Sequence, residues 1–207
     1  MTLFSEKKLI LATHNEGKVE EFRSILETID LELLSSKDFN LPEPKETENS
    51  FIGNARIKSR TSCQATNLPC LADDSGLEVH ALDNQPGVYT ADWAETENGR
   101  DFKRAMNLVW NKLILTKMKK PFTAHFNCTL VLTFPNGIEK IFEAKVPGEI
   151  IWPMRGLTGH GYDPIFLPSG HNMTFGEMKT IKKNTISHRY LALEKFINFY
   201  KQWHNSN

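Results

Sequence analysis

The stretch KKLILATHNEGKVEEF, residues 7–22, predicts how this chain begins to fold. Residues 7–13 form a short apolar run that is typical of a buried strand. Asn15 is a helix-capping residue type, and apolar residues recur after it at helical spacing. These apolar residues are Val19, Phe22, Ile25, Leu26 and Ile29. A strand, a short turn and a helix in this order indicate an α/β protein.

Two further helices and a hairpin are predicted downstream. Ser50 is expected to cap a helix in which Asn54 and Lys58, four residues apart, share one face. Residues 99–118 carry apolar side chains at helical spacing. Residues 123–146 alternate around the turn PNG, which predicts a β-hairpin.

A final helix is predicted from Ser187 onward. Its buried face is expected to be formed by Leu193, Phe196, Ile197 and Tyr200. The sequence has no internal repeat, low-complexity tract or long linker. We therefore expect a single domain over residues 1–207, with a mixed sheet and helices around it.

Composition argues against several classes of partner. Lys and Arg number 25 together, as do Asp and Glu, so the whole chain has no basic field for nucleic acid. Three scattered cysteines are too few for a disulfide framework and are typical of a reduced cytosolic protein. No apolar run approaches the ~20 residues of a membrane span, and the N-terminus lacks a signal-peptide pattern. We expect a cytoplasmic protein with no membrane or nucleic-acid partner.

The segment THNEGK, residues 13–18, lies between the first predicted strand and helix. Backbone N–H groups at a helix N-terminus favour an anion, Gly17 permits close approach and Lys18 adds a positive charge. A phosphate would fit there, although the segment is not a P-loop. A plain helix cap with an exposed lysine is the alternative.

The acidic segment PEPKETENS, residues 42–50, is predicted from its composition alone to be a solvated loop.

The stretch LADDSGLEV, residues 71–79, sets two carboxylates side by side between apolar residues. Asp73 and Asp74 should both be ionised at pH 7, so they would repel each other unless something compensates. A divalent cation would compensate, and oxygen ligands suit Mg²⁺ or Mn²⁺ when a substrate phosphate completes the coordination. We place this pair at the end of a strand. An Asx-turn is the alternative.

Two C-terminal segments carry a further polar group, GHGYDPIF at 159–166 and KKNTISHRYLAL at 182–193. His188 and Arg189 fall in the first turn of the predicted last helix, where the macrodipole disfavours cations. Contact with a ligand would explain them, and an exposed arginine is the alternative. His160 and Tyr162 could stack on a planar base, or Tyr162 could belong to the core.

Six segments taken in order resemble the non-canonical purine nucleoside triphosphate pyrophosphatases, the inosine triphosphatase-like family. They are LATHNEGKVEEF, ETENSFIGNARIKS, LADDSGLEV, QPGVYTADWA, GHGYDPIF and ISHR. The resemblance implies an α/β fold with a central, elongated mixed sheet flanked by helices, two lobes with a substrate cleft between them, and a homodimer. It implies hydrolysis of inosine, deoxyinosine and xanthosine triphosphates to the monophosphate and pyrophosphate, with Mg²⁺ or Mn²⁺ as cofactor.

The resemblance also implies roles for particular residues. Asp74 would be the catalytic proton acceptor, Glu46 and Asp74 would organise the metal, and Asp73 would support them. Substrate-binding positions would be Thr13, His14, Asn15, Glu16, Gly17, Lys18, Lys58 and Ser75 on the phosphate side. On the nucleobase side they would be His160, Gly161, Tyr162, Asp163, Lys183, His188 and Arg189.

Two positions depart from the family pattern. Many members carry Phe where this chain has His160, and many carry Arg in the segment where this chain has Asp92. We therefore assign no role to Asp92.

Two other functions fit the sequence less well than the hydrolase. An aspartyl phosphatase would usually show Asp-x-Asp, whereas Ser75 stands two residues after Asp73; a non-catalytic nucleotide-binding module should lack Glu46 and Asp74.

Overall fold

The computed structural model describes residues 7–205 of the chain. The chain divides into two compact units. The first comprises the described residues of Met1–Asp74, Cys128–Ala144 and Tyr190–Asn207. The second comprises Ser75–Asn127 and Lys145–Arg189. Residues 1–6, on which the signal-peptide prediction partly rests, lie outside the described residues, and the single domain over 1–207 stays a prediction.

The structure contains the helices and strands that follow in chain order. The strands are β1 Lys8–Leu11, β2 Glu32–Ser35, β3 Cys70–Val79, β4 Gln85–Pro86, β5 Glu95–Thr96, β6 Gly99–Arg100, β7 Phe122–Thr133, β8 Glu139–Ile150 and β9 Phe166–Pro168. The helices are α1 Glu16–Leu26, α2 Phe51–Thr66, α3 Phe102–Leu115, α4 Thr180–Lys183 and α5 His188–Asn205. Among these described residues, no helix has the length and apolar character needed to cross a membrane.

The main sheet is mixed, as the sequence predicts. Its order is β2-β1-β3-β7-β8-β9, with β4 paired to β3. Strand β1 runs parallel to both β2 and β3, whereas β4 and β9 pair antiparallel to their neighbours. The fold is therefore α/β with a mixed sheet flanked by helices.

In the first unit, strands β1 and β3 bury residues on both faces. Leu9, Leu11 and Leu71 share one apolar cluster with the buried faces of α1 and α5. Ile10 and Cys70 share a second cluster with Cys63, which lies on α2. Because successive side chains of a strand point to opposite faces, α1 and α5 cover one face of these strands and α2 covers the other.

Several predicted boundaries are confirmed. Asn15 caps α1 and its side chain accepts from the Lys18 backbone N, while Ser50 caps α2 and accepts from Gly53 N. The predicted hairpin is β7 and β8, closed by a hydrogen bond from Phe134 N to the Ile138 carbonyl at 2.9 Å. The last helix begins at His188, one residue after its predicted start.

One placement is wrong. Asp73 to Gly76 were expected at the end of a strand, but β3 continues without interruption from Cys70 to Val79. The sequence Asp-Asp-Ser-Gly favours a turn locally, yet the apolar residues on both sides of it are buried in the sheet. The backbone from Asp73 to Gly76 is part of the strand and does not turn, so an Asx-turn is excluded at this position.

Candidate active site

The segment from Thr13 to Lys18 connects β1 to α1 in the first unit. Thr13 is buried, and its hydroxyl accepts from the Asn15 backbone N at 3.3 Å. The Asn15 side chain in turn accepts from Lys18 N at 3.2 Å. These two bonds order the turn that the sequence predicted, so the start of α1 is preorganised.

Two side chains of this segment point elsewhere. His14 donates from Nε2 to the Leu41 carbonyl at 2.8 Å, which ties the turn to the residues after β2. Glu16 is exposed and forms an ion pair with Lys37. Neither contact involves the paired aspartates, so any part these two residues play in substrate binding stays a prediction.

Asp73 and Asp74 lie on opposite faces of β3. Asp73 Oδ2 accepts from Lys18 Nζ at 2.7 Å on the side of α1. Asp74 Oδ2 accepts from Asn54 Nδ2 at 3.2 Å on the side of α2. The pleat of the strand therefore separates two carboxylates that are adjacent in sequence. Their predicted mutual repulsion is weaker than adjacency suggested, and Asp73 is the smallest of the causes that raise the pKa of Asp74.

Asp74 is a buried acid in a mixed electrostatic environment. Burial raises the pKa of Asp74 to about 6, the nearby Lys58 lowers it, and Glu46 raises it again. Lys58 Nζ lies 4.0 Å from Asp74 Oδ1. A carboxylate with this pKa is mostly ionised at neutral pH and is a better proton acceptor than an exposed aspartate.

Lys58 connects Asp74 with the acidic loop at 42–50. Its Nζ donates to Glu46 Oε1 at 2.7 Å, although the lysine itself is buried. Burial alone would lower the pKa of Lys58, but Asp73, Asp74 and Glu46 outweigh it and the pKa is raised. Lys58 is therefore an ammonium ion at neutral pH, and it brings Glu46 toward the strand that carries Asp74.

Glu46 and Asp74 supply the kind of donor that Mg²⁺ prefers. Both side chains are carboxylates, and both approach the same positive charge on Lys58. Across residues 7–205, no group of three or more His, Cys, Asp or Glu side chains is arranged to hold a metal by itself. Mg²⁺ commonly takes one or two carboxylates and completes its shell with water and substrate phosphate, and this donor set fits that pattern.

The second unit holds the residues predicted for the nucleobase. Asp163 is the centre of this group, since its Oδ2 accepts from the His160 backbone N at 2.7 Å and forms an ion pair with Lys183. Lys183 is buried, and its Nζ lies 5.6 Å from the centre of the Phe175 ring. The Asp163 carboxylate is thus occupied in fixing the loop and Lys183.

Tyr162 belongs to the core, which was one of its two predicted alternatives. Its side chain is 1% exposed, and the hydroxyl donates to the Thr90 carbonyl at 3.0 Å. Burial raises the pKa of Tyr162, and Asp92 raises it further. His160 is exposed on the same loop, and Gly161 adopts a left-handed φ of 64° that favours glycine.

His188 and Arg189 begin α5 and are both buried. An exposed arginine at this position, the alternative from the sequence, is therefore wrong. The His188 ring stacks on Phe126, with centroids 4.8 Å apart and planes 9° apart. This stacking fixes the plane of the imidazole. Ser75 opens the second unit as a half-buried residue of β3.

The family model of the Ham1 family matches residues 9–199. The chain belongs to the Ham1 family.

Known proteins match this chain over nearly its whole length, both in sequence and in structure. A dITP/XTP pyrophosphatase of Ruegeria pomeroyi is 50% identical over 194 residues, which cover 94% of this chain and 95% of the relative. One from Caulobacter vibrioides is 45% identical and covers 91% and 95%. A HAM1 protein structure from Coxiella burnetii superposes with a TM-score of 0.88 at 32% identity, covering 94% and 98%. The Ham1 protein of Staphylococcus aureus gives 0.84 at 32% identity, with the same coverage.

Asn54 and Phe126 contact predicted site residues of this Ham1 family protein, although the sequence analysis gave neither of them a role. Asn54 was placed on the same face as Lys58, and that spacing could have suggested its contact with Asp74. Phe126 lies within an apolar strand, and nothing in its sequence context distinguishes it from the other core phenylalanines. Its contact with His188 depends on tertiary structure alone.

Proposed function

We propose that this protein hydrolyses non-canonical purine nucleoside triphosphates, namely ITP, dITP, XTP and dXTP, to the monophosphate and pyrophosphate. The reaction would remove these nucleotides from the cellular pool. The observation that carries the proposal is the buried Asp74, with a pKa of about 6, beside Asn54, Lys58 and Glu46. The dITP/XTP pyrophosphatases that resemble the chain over more than nine-tenths of its length support the same reaction.

The triphosphate would be held by the turn from Thr13 to Lys18 together with Lys58. Backbone N–H groups at the start of α1 favour an anion, and the two ammonium groups would offset charge that develops during attack on the α-phosphorus. Lys18 would exchange or share its contact with Asp73 when phosphate arrives. Ser75, which directly follows Asp74, is proposed to touch the substrate.

Glu46 and Asp74 are proposed to hold Mg²⁺, or Mn²⁺ in its place. When bound there, the ion would lower the pKa of the attacking water and neutralise phosphate charge. Asp74 would accept the proton of that water as its oxygen forms a bond to the α-phosphorus. The bond from the α-phosphorus to the bridging oxygen breaks, and pyrophosphate leaves with the bonding electrons.

Selection of the base is proposed to depend on donors from Lys183, His188 and Arg189. Hypoxanthine and xanthine present a 6-keto acceptor to such donors, whereas adenine presents an amino group there. One unpaired buried polar group costs about 1 to 3 kcal/mol, which corresponds to roughly ten- to hundred-fold in rate. A contact with the 6-keto oxygen therefore discriminates against ATP. Guanine has the same 6-keto group, so GTP would have to be excluded by groups near C2 of the base.

The proposed assembly rests on the family resemblance, and the proposed location rests on the cysteine usage and the N-terminal sequence pattern. We propose a homodimer that works in the cytoplasm, where nucleotide pools supply the polymerases.

Hydrolysis of ITP, XTP, GTP and ATP with Mg²⁺ tests the proposal when pyrophosphate and phosphate are assayed separately. We expect pyrophosphate from ITP and XTP, little turnover of ATP and GTP, and a loss of about 10²- to 10⁴-fold in Asp74→Asn. Phosphate as the direct product would favour a phosphatase. Binding of ITP without turnover would identify a nucleotide-binding module.

A further inference from the structure

Asn54 links the acidic loop to Asp74 through both ends of its amide. The side chain is 2% exposed, its Oδ1 accepts from Glu48 N at 2.9 Å, and its Nδ2 donates to Asp74 Oδ2 at 3.2 Å. A backbone N–H can only donate and an ionised carboxylate can only accept, so the two partners determine which way the amide faces. Asn54 therefore has one orientation in which both bonds form.

The loop end of this link also positions Glu46. Glu48 lies two residues after Glu46, whose carboxylate contacts Lys58 Nζ at 2.7 Å. Lys58 lies one helical turn after Asn54, so α2 holds the loop at two points on one face. A shift of the Glu48 backbone would carry Glu46 with it and change its distance from Asp74.

Gly53 shows how closely the loop lies against α2. A Cβ atom at this position would fall 2.5 Å from Glu48 Cβ, 2.7 Å from Glu48 Cγ and 2.9 Å from Ser50 Oγ. Glu48 Cβ is fixed to the backbone, so rotation of the side chain cannot relieve the overlap, and the loop must move. Gly53 is helical, so close approach rather than an unusual φ explains the glycine.

We propose that Asn54 is a positioning residue that sets the separation of Glu46 and Asp74, and that Gly53 allows the loop to approach Asn54. Together they determine how tightly the two carboxylates hold a divalent cation. This inference rests on the proposed function, because it concerns the metal site of the same reaction. Both residues would act through Glu46 and Asp74, because Asn54 contacts Glu48 and Asp74 and Gly53 lies against Glu48.

Mn²⁺ binding measured by water-proton relaxation tests the inference without turnover. The probe is Mn²⁺ alone and Mn²⁺ with pyrophosphate, added to the full-length protein and to Asn54→Ala, Gly53→Ala and Gln64→Ala. Groups that orient metal ligands typically change metal affinity about ten- to hundred-fold. We expect a loss of that size in Asn54→Ala and Gly53→Ala, and no change in Gln64→Ala, an exposed position on α2.

Gly53→Ala separates positioning from stability. Alanine forms helices better than glycine, which offsets part of the strain that its Cβ places on the Ser50 cap of α2. It nevertheless displaces Glu48, and we expect weaker Mn²⁺ binding in a protein that remains folded. Wild-type Mn²⁺ affinity in folded Gly53→Ala and folded Asn54→Ala would overturn the proposal. If Asn54→Ala fails to fold, wild-type affinity in Gly53→Ala overturns it alone.

Asn54→Asp distinguishes the two bonds of the amide. It keeps an acceptor for Glu48 N but places a carboxylate against Asp74, so the loop contact survives while the carboxylates repel.

With ITP as substrate, excess Mg²⁺ should restore kcat in Gly53→Ala, whereas a general loss of structure would not respond to the metal. Absence of that rescue would also count against a positioning role.

The two proposals fail differently. If the wild-type protein does not turn over ITP, the proposed function fails, and the Mn²⁺ comparison still decides whether Asn54 and Gly53 position the carboxylates. If the wild type turns over ITP while both variants bind Mn²⁺ as it does, the function stands and this inference fails.

Discussion

Lys18 Nζ lies 2.7 Å from Asp73 Oδ2, and this ion pair joins the start of α1 to the middle of β3. Asp73 is 1% exposed, whereas part of the Lys18 side chain reaches solvent. Asp73, which precedes the proposed general base Asp74, therefore orients Lys18, which is proposed to bind phosphate. Asp73 accepts a hydrogen bond from Lys18 and Asp74 accepts one from Asn54, so the two neighbouring carboxylates orient different groups.

Removal of Lys18 should affect both stability and phosphate binding. Lys18→Met takes a partner from a buried carboxylate, and we expect a loss of about 1–3 kcal/mol in the free energy of unfolding. The double variant Lys18→Met/Asp73→Asn should recover most of that loss but not the KM for ITP, because the cation is still missing. Urea unfolding and ITP kinetics provide the two measurements. A double variant no more stable than Lys18→Met would contradict the coupling.

Asp74→Asn should stabilise the metal-free protein at neutral pH. The folded-state pKa of Asp74 is raised from 3.8 to about 6, so stability is lost as the pH rises between these two values. The variant should therefore be more stable than the wild type at pH 8, by up to about 3 kcal/mol, and nearly equal to it at pH 4. Urea unfolding in EDTA across this range measures the difference. Equal stability at pH 8 would show that burial does not strain this carboxylate.

Glu139 should stabilise α2 through two arginines. Its carboxylate accepts from Arg56 Nε at 3.0 Å and Arg60 Nε at 2.7 Å. Burial alone would raise the pKa of Glu139, but Arg60 and Arg56 outweigh it and the pKa is lowered. Glu139→Gln should lower the free energy of unfolding by about 1 kcal/mol at pH 7. Because the folded-state pKa is depressed, that difference should fade as the pH falls through it. A difference that persists at pH 3 would assign it to packing instead.

Phe126 should influence base selection through His188. Loss of the stacked ring in Phe126→Leu leaves the plane of the imidazole less defined, so we expect the ratio of kcat/KM for ITP over ATP to fall about ten-fold. Phe122→Leu is the matched control, since Phe122 is also buried on β7 but contacts Trp110. Comparison of both substrates with both variants checks the prediction. An equal fall in both variants would indicate general loosening of the unit.

Local signals predicted the helix starts well, and the metal site stays a prediction. Asn15 and Ser50 cap helices through bonds to residues three positions away, which sequence spacing reveals directly. The middle of β3 was misplaced because Asp-Asp-Ser-Gly favours a turn locally, whereas in the folded protein the strand continues through these residues between buried apolar neighbours. The contacts of Asn54 with Glu48 and of Phe126 with His188 require the tertiary fold. The family resemblance, not composition or spacing, assigned roles to the nucleobase residues.

The alternation of Asp73 and Asp74 across β3 constrains how this strand can evolve. Single substitutions in it leave the remaining side chains on their own faces. A deletion or insertion of one residue upstream of Asp73 would instead slip the strand and turn each following side chain to the other helix layer. After a deletion, Lys18 would face Asp74 in place of Asp73, and Asn54 would face Ser75 in place of Asp74. A change in the length of this strand should therefore disturb the site more than most single substitutions in it.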